Sequence, residues 1–322
     1  MKTIAEYRAD LESAVKELSW PEGMLDSLYQ PIAYALSAGG KRIRPVLTMM
    51  AADAFGGAAG KAVRPALGIE TFHNFTLLHD DVMDNSDMRR GRPTVHKKYG
   101  SNAAILSGDT MLTLATQWVC EVEPDRLRPV LDAFNDMAIK IYEGQALDMA
   151  FETAETVSLA DYLEMISCKT GALLGAAASI GAIIGGASAE DAGRLYDYGM
   201  AVGLAFQIQD DWLDTFGDSA TFGKPIGGDI NNSKKTYLYL HALESSPAME
   251  EALRAAMAMA PGESKVKTVT RLYEKLGVKE ACSKAVAHYS SQAMAAVKAT
   301  SLSDEAKDAF RHLAEKLVGR KK

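Results

Sequence analysis

Residues 72–92 read FHNFTLLHDDVMDNSDMRRGR and pass from apolar through acidic to basic within one short stretch. If the part up to Asp84 is helical, four-residue spacing stacks Asp80 and Asp84 on one face, with Asp81 on the flank. Like charges held this close destabilise a helix unless a cation lies among them. Carboxylate oxygens suit Mg²⁺, which takes one or two carboxylates together with substrate phosphates. Taken alone, the stretch predicts either a magnesium site or a solvated acidic patch at a helix end.

The same spacing occurs a second time. Residues 206–214 read FQIQDDWLD, so Asp210, Asp211 and Asp214 repeat the DDxxD pattern after another apolar helical run. Short motifs match by chance, but a chance pair is much rarer than a chance single match. Two such faces directed at each other would hold a cluster of Mg²⁺ ions, and the ligand that such a cluster is suited to bind is a diphosphate.

Composition limits the classes of protein that fit the chain. Its 322 residues exceed the length of roughly 250 to 300 that one core usually supports, yet no Pro-, Ser- or Gly-rich linker divides them. We therefore predict one domain over 1–322. The net charge of -7 argues against nucleic acid as a partner. The cysteines are scattered and odd in number; they are Cys120, Cys168 and Cys282. Together with an N-terminus that has no apolar signal core, they indicate a cytoplasmic protein with reduced thiols.

Apolar periodicity and helix-favouring residues recur along the whole chain, and no stretch shows the alternation of a strand. The predicted fold class is all-α, a single multi-helix bundle. Residues 171–187, GALLGAAASIGAIIGGA, are uncharged but short and rich in Gly and Ala, so we expect a closely packed central helix rather than a membrane span. Helices are predicted at 3–18, 24–37, from 45 through 54, and at 61–84, 101–120, 126–151, 158–185, 189–214, 233–244 and from 248 onward.

Basic residues gather where an anion could be held. Lys41 and Arg44 lie in GGKRIRP at 39–45, a Gly-led turn that enters a helix. Arg89 and Arg90 follow Asp84 so closely that they must lie beside the first aspartate motif, and guanidinium groups bind phosphate oxygens in bidentate fashion. The commoner fate of such residues is solvated surface charge.

A second basic segment follows the second aspartate motif. Residues 223–235 read GKPIGGDINNSKK and carry Lys224, Lys234 and Lys235 in a Gly-containing loop. The position predicts a lid that closes over the site and excludes water. The alternative interpretation is a plain loop between helices.

Six blocks of this sequence resemble the polyprenyl synthetase family, the trans-isoprenyl diphosphate synthases, in the family's order. They are GGKRIRP, LLHDDVMDNSDMRRGRPTVH, EGQALD at 143–148, KTGALL at 169–174, FQIQDDWLD and GKPIGGDINNSKKT. The resemblance implies an all-α bundle of the isoprenoid synthase type with a central cavity, and a homodimer. It also implies head-to-tail condensation of isopentenyl diphosphate with dimethylallyl, geranyl or farnesyl diphosphate.

The resemblance further implies a role for individual residues. A cluster of three Mg²⁺ ions with bound diphosphate would have Asp80, Asp84 and Asp210 as principal ligands, supported by Asp81, Asp211 and Asp214. The positions that match the allylic diphosphate site are Arg89, Lys169, Lys224 and Lys234. Those that match the isopentenyl diphosphate site are Lys41, Arg44, His73 and Arg90. Thr170 and Gln207 match polar groups near the developing carbocation.

Product length depends on the depth of the cavity below the metals. At about 1.5 Å per residue, Phe75 lies ~7.5 Å and Phe72 ~12 Å along the helix from Asp80. Two bulky rings near the metal end predict a shallow floor and a short product, farnesyl or geranylgeranyl diphosphate. Thr76 beside Phe75, with the uninterrupted DDVMD, looks more like the geranylgeranyl pattern of the family.

Three other classes compete with this interpretation. A class I terpene cyclase would share one aspartate motif, but the intact second motif and the pair Lys41 and Arg44 count against it. A phosphohydrolase of the His-Asp type could use His79 and Asp80. That mechanism needs further His ligands at metal spacing, and of the other histidines only His73 lies near this pair in the sequence. A non-catalytic regulatory subunit is hard to reconcile with six aspartates and the complete basic set.

Overall fold

The computed structural model describes residues 1–218 and 226–319, and helices make up most of it. The predicted all-α fold class is confirmed. Within the described residues the extended structure is one antiparallel ladder of two short strands, Met88–Arg89 (β1) and Arg92–Pro93 (β2). The chain divides into two compact units, and each is described by itself. Unit 1 comprises Met1–Asp136 and Ala176–Tyr196, and unit 2 comprises Met137–Gly175 and Asp197–Lys322.

Unit 1 holds the first six helices and parts of three longer ones. The six are α1 (Ile4–Lys16), α2 (Asp26–Leu36), α3 (Ile43–Gly56), α4 (Val63–Met83), α5 (Val95–Tyr99) and α6 (Ser101–Val119). The three helices that contribute residues to both units are α7 (Pro124–Thr153), α9 (Ala172–Gly185) and α10 (Ala189–Phe216).

The remaining helices belong to unit 2. They are α8 (Leu159–Ile166), α11 (Gly228–Asn231), α12 (Tyr237–Ser245), α13 (Glu250–Met257), α14 (Glu263–Lys275), α15 (Val278–Lys298) and α16 (Asp304–Val318). A π-helical turn, Ser167–Gly171, joins α8 to α9, and a 3₁₀ turn, Pro247–Met249, precedes α13.

Three local predictions needed correction. The helix predicted at 158–185 is interrupted by the π turn Ser167–Gly171. The helix predicted to begin at 233 begins at Tyr237, because Ser233 adopts a left-handed φ of 55° that no helix accommodates. The loop predicted after Asp84 contains the β1–β2 hairpin and α5.

Helix α4 carries the first aspartate motif and is buried on most of its surface, as expected of a core helix. It packs along α6 at Gly68, where an added Cβ would lie 2.6 Å from Val119 Cγ2 and 2.8 Å from the Ala115 carbonyl oxygen. The absence of a side chain at Gly68 therefore allows the two backbones to approach. This contact fixes the helix that ends in the aspartates.

The Gly/Ala-rich helix α9 packs against α3 through its glycines. A Cβ added to Gly181 would lie 2.1 Å from the Thr48 carbonyl oxygen, and one added to Gly185 would lie 2.6 Å from the Ala52 carbonyl oxygen. The prediction that small residues let neighbouring helices approach is confirmed. By length and composition Leu159–Gly185 could cross a membrane, but 72% of its apolar window is buried within the protein, as in a core helix.

The core of unit 2 surrounds the second aspartate motif. Tyr162, Ile208, Leu238 and Tyr273 are at most 4% exposed and belong to one apolar cluster that also includes Cys282. The cysteines form no disulfide, and Cys168 and Cys282 are buried. Helix α10 is thereby held with its aspartates at the edge of this core.

We expect Gly181→Ala to destabilise the protein by about 1 to 3 kcal/mol, because its new methyl group cannot fit against the Thr48 carbonyl without a backbone shift. The matched control is Gly193→Ala in α10, where nothing lies within 4 Å of the added Cβ. Alanine there should leave the free energy of unfolding unchanged or raise it by up to about 1 kcal/mol. Urea unfolding curves measure both, and equal effects at the two positions would contradict the packing argument.

Candidate active site

The first aspartate motif lies at the C-terminal end of α4. Asp81 is 3% exposed, and its two carboxylate oxygens accept hydrogen bonds from Arg89 Nε at 2.8 and 2.9 Å. Asp80 is partly buried, with Arg89 Nη2 3.8 Å from its carboxylate, and Asp84, which caps the helix, is exposed. Asp81, the second aspartate, is thus paired with Arg89, and Asp80 and Asp84 are more exposed.

A tight hairpin returns the chain to the motif. Its two-residue turn is Arg90–Gly91, with φ of 53° and 74°, the left-handed values that a type I′ turn requires. A left-handed arginine is uncommon, and such backbone strain is concentrated at functional sites. Because Arg89 pairs with Asp81, the prediction that this arginine lies beside the first motif is confirmed.

Arg44, His73 and Arg90 form a cationic cluster in unit 1. Arg44 Nη1 lies 3.3 Å from His73 Nε2, while Arg90 donates to the Gly39 carbonyl and packs over Gly40. Burial lowers the pKa of Arg44 to about 10, and desolvation followed by the charge of Arg44 lowers that of His73 well below 6.5. Arg44 Nε is buried without a hydrogen-bond partner in the described part of the chain. The cluster can accept an anion.

The loop before α3 is anchored by the buried residue Arg42, which has a φ of 52°. Its guanidinium bonds Glu70 at 2.7 Å, Glu12 at 3.0 Å and the Leu36 carbonyl oxygen at 2.7 Å. These bonds fix the turn that precedes Arg44 and follows the exposed Lys41.

The second aspartate motif, on α10 in unit 2, repeats the division seen in the first. Asp211 is 4% exposed and accepts hydrogen bonds from Tyr162 Oη at 2.5 Å, Gln207 Nε2 at 3.0 Å and the Tyr237 amide at 3.2 Å. Desolvation, followed by the charge of Asp229, raises the pKa of Asp211 to about 7.

The neighbours of Asp211 in the motif differ in burial. Asp214 is 7% exposed, and its Oδ2 accepts the Asp229 amide at 2.9 Å. Asp210 is more exposed than either of the other two motif aspartates. In both motifs, therefore, the second aspartate is buried and hydrogen-bonded within the protein, and the first is more exposed.

The π turn carries Lys169 and Thr170, and π turns of a single turn are frequent at functional sites. It fits against α7 at Gly144, where a Cβ would lie 2.5 Å from the Lys169 amide nitrogen. Lys169 Nζ then reaches Asp148 at 2.5 Å, and Thr170 Oγ1 donates to Gln207 Oε1 at 3.3 Å.

The segment that begins after the second motif is described only from residue 226, so Lys224 lies outside the described residues. Lys235 Nζ donates to the Phe151 carbonyl oxygen at 2.5 Å, at the C-terminal end of α7. Lys234 is exposed, and its side chain makes no hydrogen bond or ion pair within the described residues.

Aromatic rings fill unit 1 below the first motif. Phe72 packs edge to face on Phe75, with ring centroids 5.4 Å apart, and on Phe134 of α7 at 5.3 Å. Phe75 in turn packs on His79 at 4.9 Å, and His79 Nε2 lies 3.1 Å from the Ile105 carbonyl oxygen. Thr76 is partly buried and donates to the His73 carbonyl oxygen at 2.8 Å.

The donor set fits a metal that is held jointly with a substrate. Among the described residues, no group of three or more His, Cys, Asp or Glu side chains is arranged to hold a metal ion on its own. The two motifs offer carboxylate oxygens, and Mg²⁺ is usually bound by one or two carboxylates plus substrate phosphates rather than in a protein cage. The residues present therefore suit Mg²⁺ bound with a diphosphate.

Comparisons with known proteins agree with the fold and identify the family. A model of the polyprenyl synthetase family matches residues 25–276. The chain is 39% identical over 269 residues to a geranylgeranyl diphosphate synthase of Methanosarcina mazei, covering 83% of each protein. It is 40% identical over 232 residues to a geranylfarnesyl diphosphate synthase of Aeropyrum pernix, covering 70% of this chain and 73% of the relative. A crystal structure of a geranylgeranyl pyrophosphate synthase covers both chains fully, with 40% identity and a TM-score of 0.95.

An all-helical fold of this type, with two aspartate motifs and a cationic cluster, defines a trans-prenyltransferase. The chain belongs to the polyprenyl synthetase family. The terpene cyclase and regulatory subunit considered as alternatives find no support among these relatives.

Several residues that shape the site were not singled out from the sequence. Asp148 lies in the recognised block EGQALD, so the sequence held a signal for it. Tyr162 and Phe134 reach the site across long sequence separations, and nothing in the local pattern marks them. The residues in this group are Phe134, Asp148, Tyr162 and Asp229.

We expect His73→Gln to flatten the pH dependence of stability between pH 6.5 and 5.5. Folded His73 has a pKa below 6.5 because of burial and neighbouring cations, so acidification favours the unfolded chain, which binds the proton more readily. For one such group the wild type should lose up to about 1.4 kcal/mol more than the variant over this pH unit. Urea unfolding at the two pH values gives the difference, and parallel losses in both proteins would contradict a neutral, buried imidazole.

Proposed function

We propose that the protein joins isopentenyl diphosphate to an allylic diphosphate, head to tail, and releases diphosphate. The observation that carries the proposal is the matching construction of the two aspartate motifs. In each motif the second aspartate is buried and bonded to protein donors, and the first is more exposed. In the first motif Arg89 Nη2 also lies 3.8 Å from the Asp80 carboxylate. The chemistry needs charge to be neutralised on a departing diphosphate, and this donor set is suited to it.

Magnesium held by Asp80, Asp84 and Asp210 would supply Lewis-acid stabilisation of the leaving diphosphate. Asp81 supports the first motif through Arg89, and Asp211 and Asp214 support the second through Tyr162 and the Asp229 amide. A cluster of three ions with diphosphate bound is the form that we propose.

Arg89, Lys169 and Lys234, with Lys224, are proposed to bind the allylic diphosphate. Arg89 uses Nε and Nη2 on Asp81, which leaves Nη1 with two N–H donors for a phosphate oxygen. Lys169 lies in the π turn and donates to Asp148 at 2.5 Å. Arg89 can therefore keep its internal partner while it contacts the substrate.

The second substrate is assigned to the cationic cluster of unit 1. Arg44, His73 and Arg90, with the exposed Lys41, would hold the diphosphate of isopentenyl diphosphate. Desolvation lowers the pKa of both Arg44 and Arg90, and an incoming anion would offset the cost of that desolvation.

The reaction then proceeds without a protein nucleophile. The allylic carbon–oxygen bond breaks, its electron pair leaves with the diphosphate, and an allylic cation remains. The double bond of isopentenyl diphosphate attacks this cation, and loss of one proton to the departed diphosphate restores an alkene. Thr170 and Gln207 would supply oxygen dipoles that stabilise positive charge, and Thr170 Oγ1 donates a hydrogen bond to Gln207 Oε1 at 3.3 Å.

The product that we propose is geranylgeranyl diphosphate. Phe75 is 5% exposed and Phe72 fully buried, and Phe134 supports Phe72 from α7. These stacked rings, with Thr76 beside them, would limit the growing chain below the first motif. Relatives with different product lengths share this fold, so the rings rather than the fold would set the length.

We further propose a single catalytic domain that acts as a cytoplasmic homodimer. The boundaries between the two units fall inside α7, α9 and α10 rather than in linkers. Exposed apolar side chains lie on α6 and, at helical spacing, on α7; they are Ile105, Leu106, Ile139, Tyr142 and Met149. Covering such residues is a common reason for self-association.

Replacing either leading aspartate by alanine should lower kcat at least a hundredfold with the fold intact, because each variant removes a carboxylate from the proposed magnesium cluster. The variants are Asp80→Ala and Asp210→Ala. The control is Asp132→Ala on α7, an exposed carboxylate that pairs with Arg128. Diphosphate release from isopentenyl and farnesyl diphosphates is measured with Mg²⁺ and with EDTA. Normal rates in either leading variant would exclude the metal cluster.

Phe75→Ala should lengthen the product by at least one five-carbon unit, because removing the ring opens space against Phe72. Products from radiolabelled isopentenyl diphosphate are separated by chain length with dimethylallyl, geranyl and farnesyl primers. The control is Phe55→Ala on α3, a partly exposed ring near Gly185 that is remote from the ring stack along the chain. An unchanged product from Phe75→Ala would show that the floor lies elsewhere.

A further inference from the structure

Lys265 on α14 is a buried lysine that the proposed reaction does not use. Its side chain belongs to a residue only 1% exposed, and it makes no ion pair within the described residues. Its Nζ donates to Ser233 Oγ at 2.6 Å and lies 3.4 Å from the Asn231 carbonyl oxygen. Desolvation lowers the pKa of this ammonium group. Lysine is rarely buried unless it is paired, so the position requires an explanation.

Lys265 donates its hydrogen bonds to the short segment 231–236, here called the lysine segment, which runs from the last residue of α11 to the start of α12. Ser233 has a left-handed φ of 55°, a conformation that costs energy for a residue other than glycine. Its Oγ accepts from Lys265 and donates to the Met257 carbonyl oxygen at 3.1 Å. The two bonds of one hydroxyl compensate the strained backbone and fix the segment at Ser233.

Other contacts tie the same segment to α14 and to the second aspartate motif. The Gly262 amide donates to Asn231 Oδ1 at 2.8 Å, at the start of α14. Directly after the segment, the amide of Tyr237, the first residue of α12, donates to Asp211 Oδ2 at 3.2 Å. The lysine segment therefore bridges α14 and the aspartate motif, and Lys265 is its buried attachment point.

The two lysines of the segment have different positions. Lys235 is used to cap the carbonyl end of α7 through Phe151. Lys234 follows Ser233 directly, its amide donates to the Asp229 carbonyl oxygen at 2.9 Å, and its side chain is exposed. A fixed Ser233 therefore fixes the backbone from which Lys234 extends.

We propose that Lys265 is a positioning residue that holds Lys234, through Ser233, in place for the allylic diphosphate. The inference rests on the proposed function for the identity of the bound group. A charged donor suits this task better than a neutral one because hydrogen bonds from an ammonium group are stronger. A preorganised cation binds an anion without the entropic cost of ordering the loop.

The test compares Lys265→Met with wild type, using the full chain and Mg²⁺. KM for the allylic diphosphate should rise about tenfold, as expected for the loss of one preorganising charged hydrogen bond, while KM for isopentenyl diphosphate stays unchanged. Thermal stability should be unchanged or higher, because methionine replaces a buried ammonium group that has no carboxylate partner within the described residues. Lys267→Met is the matched control, since Lys267 is a 63% exposed lysine on the same helix that pairs with Glu263.

A second variant separates positioning from general packing. Ser233→Gly removes the hydroxyl that accepts from Lys265, so it should reproduce the rise in allylic KM while KM for isopentenyl diphosphate stays unchanged. The double variant should be no worse than either single variant, because both break the same connection. An unchanged allylic KM in Lys265→Met, or an equal rise in both KM values with a lower melting temperature, would overturn the proposal.

Amide hydrogen exchange provides a readout that does not depend on turnover. The Ser233 and Lys234 amides, bonded to the Ile230 and Asp229 carbonyls, should exchange faster in Lys265→Met than in Lys267→Met or wild type. Equal exchange in all three proteins would overturn the positioning role. If the wild type failed to condense the two diphosphates, the proposed function would fall, whereas the exchange result would still decide whether Lys265 fixes the segment.

Discussion

The rest of the site depends on the way in which the protein uses the second aspartate of each motif. Adjacent carboxylates repel, and a helix end that carries three of them is stable only if some of the charge is compensated. Asp81 is compensated by Arg89 and Asp211 by Tyr162, Gln207 and a backbone amide. These bonds leave the first aspartate of each motif nearer solvent, so one internal interaction both stabilises the helix and prepares its acidic face.

Close backbone contacts place the other functional groups. Gly68 allows α4 to lie against α6, and Gly144 allows α7 to lie against the π turn that carries Lys169. A side chain at either position would push the neighbouring backbones apart. The π turn adds one residue to a helical turn and so rotates Lys169 and Thr170 relative to the helices on either side, which brings Thr170 to Gln207. Packing at Gly68 and Gly144 therefore determines where the first aspartate motif and the π turn lie within their own units.

The sequence predicts the parts of this structure that depend on local pattern. The all-α class, the aspartate motifs and the position of Arg89 follow from periodicity and spacing along a few helical turns. The π turn could not be predicted, because inserting one residue into a helix leaves no change in composition. The partnership of Tyr162 with Asp211 spans 49 positions and arises from tertiary packing alone. The start of α12 was misjudged because Ser233 has no local signal for a left-handed backbone.

Desolvation of the cationic cluster of unit 1 has an energetic cost. Buried guanidinium groups lose their hydration, and in unit 1 the buried carboxylate Glu70 is already bonded to Arg42. Arg44 and Arg90 are left with lowered pKa values because the surrounding carboxylates do not offset their desolvation. Their presence beside a neutral imidazole is explained if an anion with several oxygens completes the cluster, and a diphosphate has that number of acceptors.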